Sequence, residues 1–148
     1  MTVRPYTEQD FPAVCRIYAD AKRDELRFES HAVDVTPLDQ DDLILAAFHE
    51  STVLVFEDGK VQGFAASHQG QLRALFVDRE ARGKGTGQAL LDAVLASETG
   101  VVSLNVARSN VNAVRFYMRN GFVVVGEALR RYAGLEVMYI NMATPDSR

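Results

Sequence analysis

The feature that most constrains this chain is the glycine-rich turn Arg82-Gly83-Lys84-Gly85-Thr86-Gly87. It lies between the apolar run Leu72 to Val77 and the helical pattern Ala89 to Leu95. A turn that carries a strand directly into a helix leaves the first helical N–H groups without internal partners, and it aims them with the positive end of the helix dipole at one spot. That spot suits a phosphate. Arg82 and Lys84 add positive charge there, so the rest of the chain is organised around an anion cradle.

The remaining elements follow from local pattern. Thr2 to Arg4 is a short strand candidate ended by Pro5. Thr7 and the acidic residues after it open a helix whose apolar positions are Val14, Ile17, Tyr18 and Ala21. From Lys22 to Asp41 the pattern loosens, with a second helix suggested within 24–30 and a turn at Thr36-Pro37; Asp39 to Phe48 is helical again. Thr52 to Phe56 and Lys60 to Ala66 are strands joined by the hairpin signal Asp58-Gly59. Gln69-Gly70 turns into Leu72 to Val77, apolar on both faces apart from Arg73, which predicts a strand in the middle of a sheet.

Beyond the glycine turn, Leu90, Leu91, Val94 and Leu95 form the buried stripe of a helix ended at Thr99-Gly100. Val101 to Val106 is a strand that a helical crossover places parallel to its predecessor. A helix from Asn110 to Arg119 stops at Asn120-Gly121, with Gly121 placed for a left-handed C-cap. Phe122 to Val125 and Glu136 to Met142 close the chain as strands, with a polar loop from Arg130 to Gly134 between them. The expected class is α/β (α+β): a mixed sheet of about six to seven strands flanked by about four helices. The 148 residues predict a single domain spanning 1–148.

Charge narrows the functional classes. The net charge of -4, from 16 basic and 20 acidic residues, argues against a general nucleic-acid binder, which relies on a basic face. Cys15, the one cysteine, excludes an intramolecular disulfide and a cysteine zinc site, and no metal centre is expected. It falls on an apolar-periodic segment, so a core thiol is expected rather than a nucleophile. With no apolar leader and no run long enough to span a bilayer, the expectation is a cytoplasmic protein without membrane contact.

Three phosphate-loop types are distinguishable by spacing. In a Walker A loop the Gly-Lys pair precedes Ser or Thr, whereas Gly83-Lys84 precedes Gly85. A dinucleotide fingerprint opens a parallel unit and has an acid about twenty residues on; here the loop follows an antiparallel meander and Asn105 stands in the acid's region. The third type, R/Q-x-x-G-x-G/A, is matched at every fixed position by Arg82 to Gly87. Downstream at the expected distance stands Asn110-Val111-Asn112-Ala113-Val114-Arg115-Phe116-Tyr117-Met118-Arg119-Asn120-Gly121-Phe122.

With both motifs in that order, the chain resembles the GCN5-related N-acetyltransferase (GNAT) superfamily along its whole length, and more narrowly its small bacterial members. The resemblance implies an acetyl-CoA-dependent enzyme that acetylates a primary amine: a protein lysine, a protein N-terminus or a small amine. It implies transfer by direct attack in a ternary complex, with coenzyme A as cosubstrate. The cofactor would be held by the backbone of Leu75, Phe76 and Val77, by the loop Arg82, Gly83, Lys84, Gly85, Thr86, Gly87 and Gln88, and by Asn105, Asn110 and Tyr117. Arg79, Arg108, Arg115 and Arg119 are further cationic candidates for its phosphates.

Tyr117 stands where the family places its general acid. A phenol of ordinary pKa near 10 stays protonated at neutral pH and can protonate a thiolate whose parent thiol has a pKa near 8.5. Asn105 departs from the N-terminal acetyltransferases, which carry a glutamate base at this strand position; Asn cannot accept a proton at neutral pH. Candidate bases are then Glu25, Glu29, His31 and His68, none positioned by a motif. Asn105 also keeps open an acyl-CoA-binding or sensor module without turnover. The acceptor, other acyl groups and the choice between monomer and homodimer stay open.

Overall fold

A computed structural model describes residues 2–29, 34–132 and 134–146. Seven strands form one mixed sheet in the order β1-β2-β3-β4-β5-β7-β6. The strands are β1 (Thr2–Pro5), β2 (Thr52–Asp58), β3 (Lys60–His68), β4 (Gln71–Val77), β5 (Ser103–Ala107), β6 (Val123–Tyr132) and β7 (Leu135–Ala143). The helices are α1 (Phe11–Glu25), α2 (Asp42–Glu50), α3 (Thr86–Ser97) and α4 (Val111–Arg119). The strand-and-helix order is the one the sequence predicts. Every ladder is antiparallel except β4 with β5.

Two apolar layers hold the sheet. On one face Val14, Ile17 and Tyr18 of α1 and Phe48 of α2 pack with Val53, Val55 and Phe64. On the other, Leu90, Leu91 and Val94 of α3 join Tyr117 and Phe122 against Leu104, Val106, Ile140 and Met142. Alternation along a strand sends successive side chains to opposite faces. Leu104 and Val106 therefore face α3, while Asn105 between them turns to the face of α1.

Three local expectations change. The first helix continues unbroken to Glu25 and ends in a turn at Leu26 to Phe28, rather than giving way to a second helix from Asp24; Ser30 and His31 lie outside the described residues. Tertiary packing keeps α1 going, because Ala21 and Leu26 remain buried along its length. The segment from Asp39 divides into a 3-10 turn, Leu38–Gln40, and α2 starting at Asp42, capped by Asp41 accepting from the Ile44 N–H at 3.2 Å. β6 runs through the polar stretch to Tyr132, since Arg130 and Arg131 sit on an edge strand still paired with Val137 and Glu136 of β7. Edge strands accept such charges without burying them.

Candidate functional site

β4 and β5 pair at only two positions, Gln71 with Ser103 and Leu72 with Leu104. Beyond Leu72 the two parallel strands part, while β4 stays paired with β3 as far as Val77 opposite Gly63. The divergence leaves the main chain of Leu75 to Val77 without a strand partner on the β5 side, in the centre of the sheet, where the Val77 carbonyl accepts from Arg82 Nε at 3.4 Å. A cavity of about 730 Å³ opens there. Its lining includes Leu75, Phe76, Val77, Asn105, Asn110 and Tyr117, together with Arg82, Gly83, Gly85, Thr86, Gly87 and Gln88. Twelve of the thirteen residues expected at the cofactor site thus share one cavity wall, and Lys84 is exposed in the same loop.

The loop has the geometry an anion cradle needs. Gly83 and Gly85 have φ of 76° and 85°, a region that side chains disfavour, and a Cβ built on either meets nothing within 4 Å. The first i to i−4 bond of α3 is donated by the Ala89 N–H to the Gly85 carbonyl at 3.0 Å. The amides of Thr86, Gly87 and Gln88 precede that bond. The side chain of Gln88 is used structurally: its amide nitrogen donates to Asn120 Oδ1 at 2.7 Å and to Asp92 Oδ1 at 2.8 Å, bracing α3 against the end of α4. Arg82 donates from Nη1 to Asp24 Oδ2 at 2.7 Å, tying the loop to the end of α1.

Tyr117 is fixed from its own helix end. The Phe122 N–H donates to the Tyr117 carbonyl at 3.0 Å and the Gly121 N–H to the Met118 carbonyl at 3.1 Å, the paired bonds of a Schellman cap. Edge-on contacts with Phe116 and Phe122, at 5.3 and 5.5 Å between centroids, set its ring plane. Burial first, and the charge of Glu25 second, push the Tyr117 phenol well above its ordinary range. The ring therefore both anchors the core and lines the cavity. Asn110 is the N-cap residue of α4, but its side chain makes no capping bond. Asn105 Oδ1 accepts a hydrogen bond from Asn141 Nδ2 across the β5 and β7 ladder.

Of the four candidate bases, Glu25 alone among the described residues lies in the cavity wall. Glu29 accepts from the Ser109 hydroxyl, and His68 Nε2 faces Glu50 at 3.5 Å near the far end of β3. His31 falls outside the described residues. Cys15 is half-buried and outside the lining, and burial raises its thiol further. Two of the four further candidate cations are engaged, Arg79 with Asp20 at 3.2 Å and Arg108 with Glu127 at 3.8 Å, while Arg119 lines the cavity.

Sequence reasoning missed Lys22, Arg130 and Tyr139, which also line the cavity. Lys22 and Glu25 were legible in one respect. They stand four residues beyond Tyr18 and Ala21, so two charged residues extend the apolar face of α1, where a solvated helix face would not put them.

Residues 21–143 match the family described as the acetyltransferase (GNAT) domain. The chain belongs to the GNAT acetyltransferases. It is 31% identical over 93 residues to the peptidyl-lysine N-acetyltransferase YjaB of Salmonella typhimurium, a stretch covering 63% of this chain and 63% of that relative. The chain thus aligns with less than two thirds of that protein's length. The fold superposes on the solution structure of apo YjaB from Escherichia coli with a TM-score of 0.78, at 23% identity, covering 99% of this chain and 98% of the other. It also superposes on yncA from Salmonella typhimurium, solved with its cofactor acetyl-CoA, with a TM-score of 0.71, at 21% identity, covering 100% and 99%. No helix among the described residues is long and apolar enough to cross a membrane.

Proposed function

We propose that this GNAT domain transfers an acetyl group from acetyl-CoA to a primary amine by direct attack within a ternary complex. The observation that carries this is the notch between β4 and β5, where an unpaired main-chain edge, a glycine loop at a helix N-terminus and a buried phenol line one cavity. The residues fit the cosubstrate: open space over Gly83 and Gly85 admits phosphate oxygens, and the free edge at Leu75 to Val77 admits an amide-bearing arm as an added strand. When bound, acetyl-CoA supplies an activated acyl carbon on a thiol leaving group.

The chain's own groups do the rest. Amides from Gly83 to Gln88, with Arg82 and Lys84, hold the pyrophosphate, and the Val77 amide polarises the thioester carbonyl. Tyr117 holds a proton at its hydroxyl and gives it to the departing thiolate. Asn105, engaged by Asn141, has no proton-accepting role and shapes the wall of the cavity. Cys15 lies outside that wall, which removes the nearest candidate for an acyl-enzyme.

Acceptors that fit are primary amines, with a protein lysine one of them, as the name of the YjaB relative suggests for that protein. The test is an acceptor screen with acetyl-CoA, pairing small amines with lysine and N-terminal peptides and reading release of the coenzyme A thiol. Release with at least one amine supports the proposal. Binding of acetyl-CoA without release to any acceptor identifies a sensor module, and failure to bind any acyl-CoA overturns the assignment of the cavity.

A further inference from the structure

Lys22 and Glu25 lie on the last turn of α1 with side chains only 15% and 11% exposed, their Nζ and Oε2 3.1 Å apart. Such a pair on a helix end is normally solvated. Here it is turned into the cavity that holds Tyr117 and the β4 edge. The Lys22 ammonium also stands 4.9 Å over the ring of Tyr132 and 5.9 Å over that of Tyr139. A carboxylate facing aromatic faces is a general receptor for an alkylammonium. The chain has placed its own lysine side chain in that receptor.

Two observations separate this pair from a structural ion pair. The Oε2 of Glu25 is buried and its close polar contact is the Lys22 ammonium at 3.1 Å, so displacement of Lys22 would free it for another cation. Glu25 and Tyr117 also line the same cavity, so the carboxylate shares its space with the proposed proton donor. Burial alone would lower the Lys22 ammonium, yet Glu25 and Tyr139 hold it above its ordinary value, as a seat built for a cation does.

We propose that Glu25, with the rings of Tyr132 and Tyr139, is the acceptor's ammonium seat, taking an unbranched primary alkylamine, and that Lys22 occupies it until the acceptor displaces it. This rests on the acetyltransferase reading and assigns the acceptor end of the same cavity. The seat binds the acceptor as R-NH3+; one proton leaves to solvent before attack, and the freed nitrogen lone pair forms the C–N bond as the C–S bond breaks. The thiolate takes its proton from Tyr117, and the second amine proton restores Tyr117. The products are the acetamide, the coenzyme A thiol and one proton.

The experiment uses n-butylammonium, which has the four-carbon stem of lysine, with Lys22→Met and Glu25→Gln. If Lys22 is an internal competitor, Lys22→Met lowers KM for butylamine threefold or more, since a tethered ligand acts at millimolar effective concentration. Glu25→Gln lowers kcat/KM at least about 30-fold, as expected for one partner of a buried charge pair. The two halves of a merely structural pair would instead shift KM in the same direction, and that result overturns the proposal. A second readout needs no turnover: butylammonium raises the melting temperature of Lys22→Met more than that of wild type, and of Glu25→Gln not at all. Equal stabilisation of all three proteins also overturns it. An unchanged thermal shift with acetyl-CoA in both variants shows intact folding, whereas a wild type that acetyl-CoA does not stabilise counts against the acetyltransferase reading itself.

Discussion

Gly63 gives the sharpest test of how the sheet positions the cofactor loop. It lies on β3 opposite Val77, under the first turn of α3. A Cβ added there would stand 2.9 Å from the Phe76 carbonyl oxygen, 3.1 Å from Leu90 Cδ1 and 3.2 Å from Thr86 Cγ2. The first of these is backbone in the central strand and cannot yield cheaply, and side chains of α3 crowd the same spot, so Gly63→Ala must shift β4 and the start of α3 relative to each other. Overpacking of this kind costs about 1–3 kcal/mol. For a chain of this size that lowers the melting temperature by roughly 3–10 °C. The same displacement moves the amides of Thr86 to Gln88 relative to the Val77 edge. Losing part of one charge-assisted hydrogen bond, about 1 kcal/mol, weakens acetyl-CoA about fivefold. Scanning fluorimetry and calorimetric titration read the two effects. Gly87→Ala is the control for the fold: its Cβ would meet only Val77 Cγ2, at 3.5 Å, so its melting temperature stays within about 1 °C of wild type. A Gly63→Ala protein with native melting temperature and native acetyl-CoA affinity would refute the claim that this close approach sets the loop.

Tyr117→Phe keeps the ring and removes only the hydroxyl; kcat falls by about a hundredfold while acetyl-CoA affinity stays nearly unchanged. Because burial and Glu25 raise the Tyr117 phenol, no alkaline limb below about pH 10 in wild-type kcat should vanish in this variant; one that does would contradict the acid assignment. Asp24 holds Arg82 at 2.7 Å and competes with phosphate for it, so Asp24→Asn tightens acetyl-CoA by up to about fivefold. Weaker binding in a titration would mean the carboxylate instead holds the arginine in place for the ligand. Away from the site, hydrogen bonds from Arg4, outweighing burial, hold the Asp10 carboxyl down to about 2 from 3.8. A depressed acid stabilises the fold above its unfolded pKa and loses that contribution as pH falls from about 4 through 2. Discounted for screening, the loss is on the order of 1 kcal/mol, and Asp10→Asn should flatten that part of the acid-denaturation curve.

What the sequence determined by itself was whatever is encoded within one element or across one turn. Strand alternation, the Leu90 to Leu95 stripe, the Asp58-Gly59 hairpin and the stop at Gly121 each depend on neighbours in the chain, so the element order could be read directly. The loop from Arg82 to Gly87 was legible for the same reason: a strand, a turn and a helix N-terminus are contiguous. The parallel pairing of β4 with β5 was foreseeable from the helical crossover, whereas the open edge at Leu75 to Val77 was only implied by the family resemblance. The polar stretch at Arg130 was misread because charge alone does not distinguish a loop from an edge strand, and only pairing with β7 decides it.

Only the tertiary structure decided which side chains meet. Asn105 and Asn141, 36 residues apart, are joined by the β5 and β7 register. Gln88 reaches Asn120 because α3 and α4 pack on one face. Glu25 was one of four candidate bases, and neither its neighbours nor its spacing singled it out. It became distinct once α1 carried it, with Lys22, into the wall of the cavity between β4 and β5, where rings from β6 and β7 lie against Lys22. The anion cradle is a property of local backbone geometry, whereas the acceptor end is a property of long-range packing, where burial and charge are set by residues a hundred positions away.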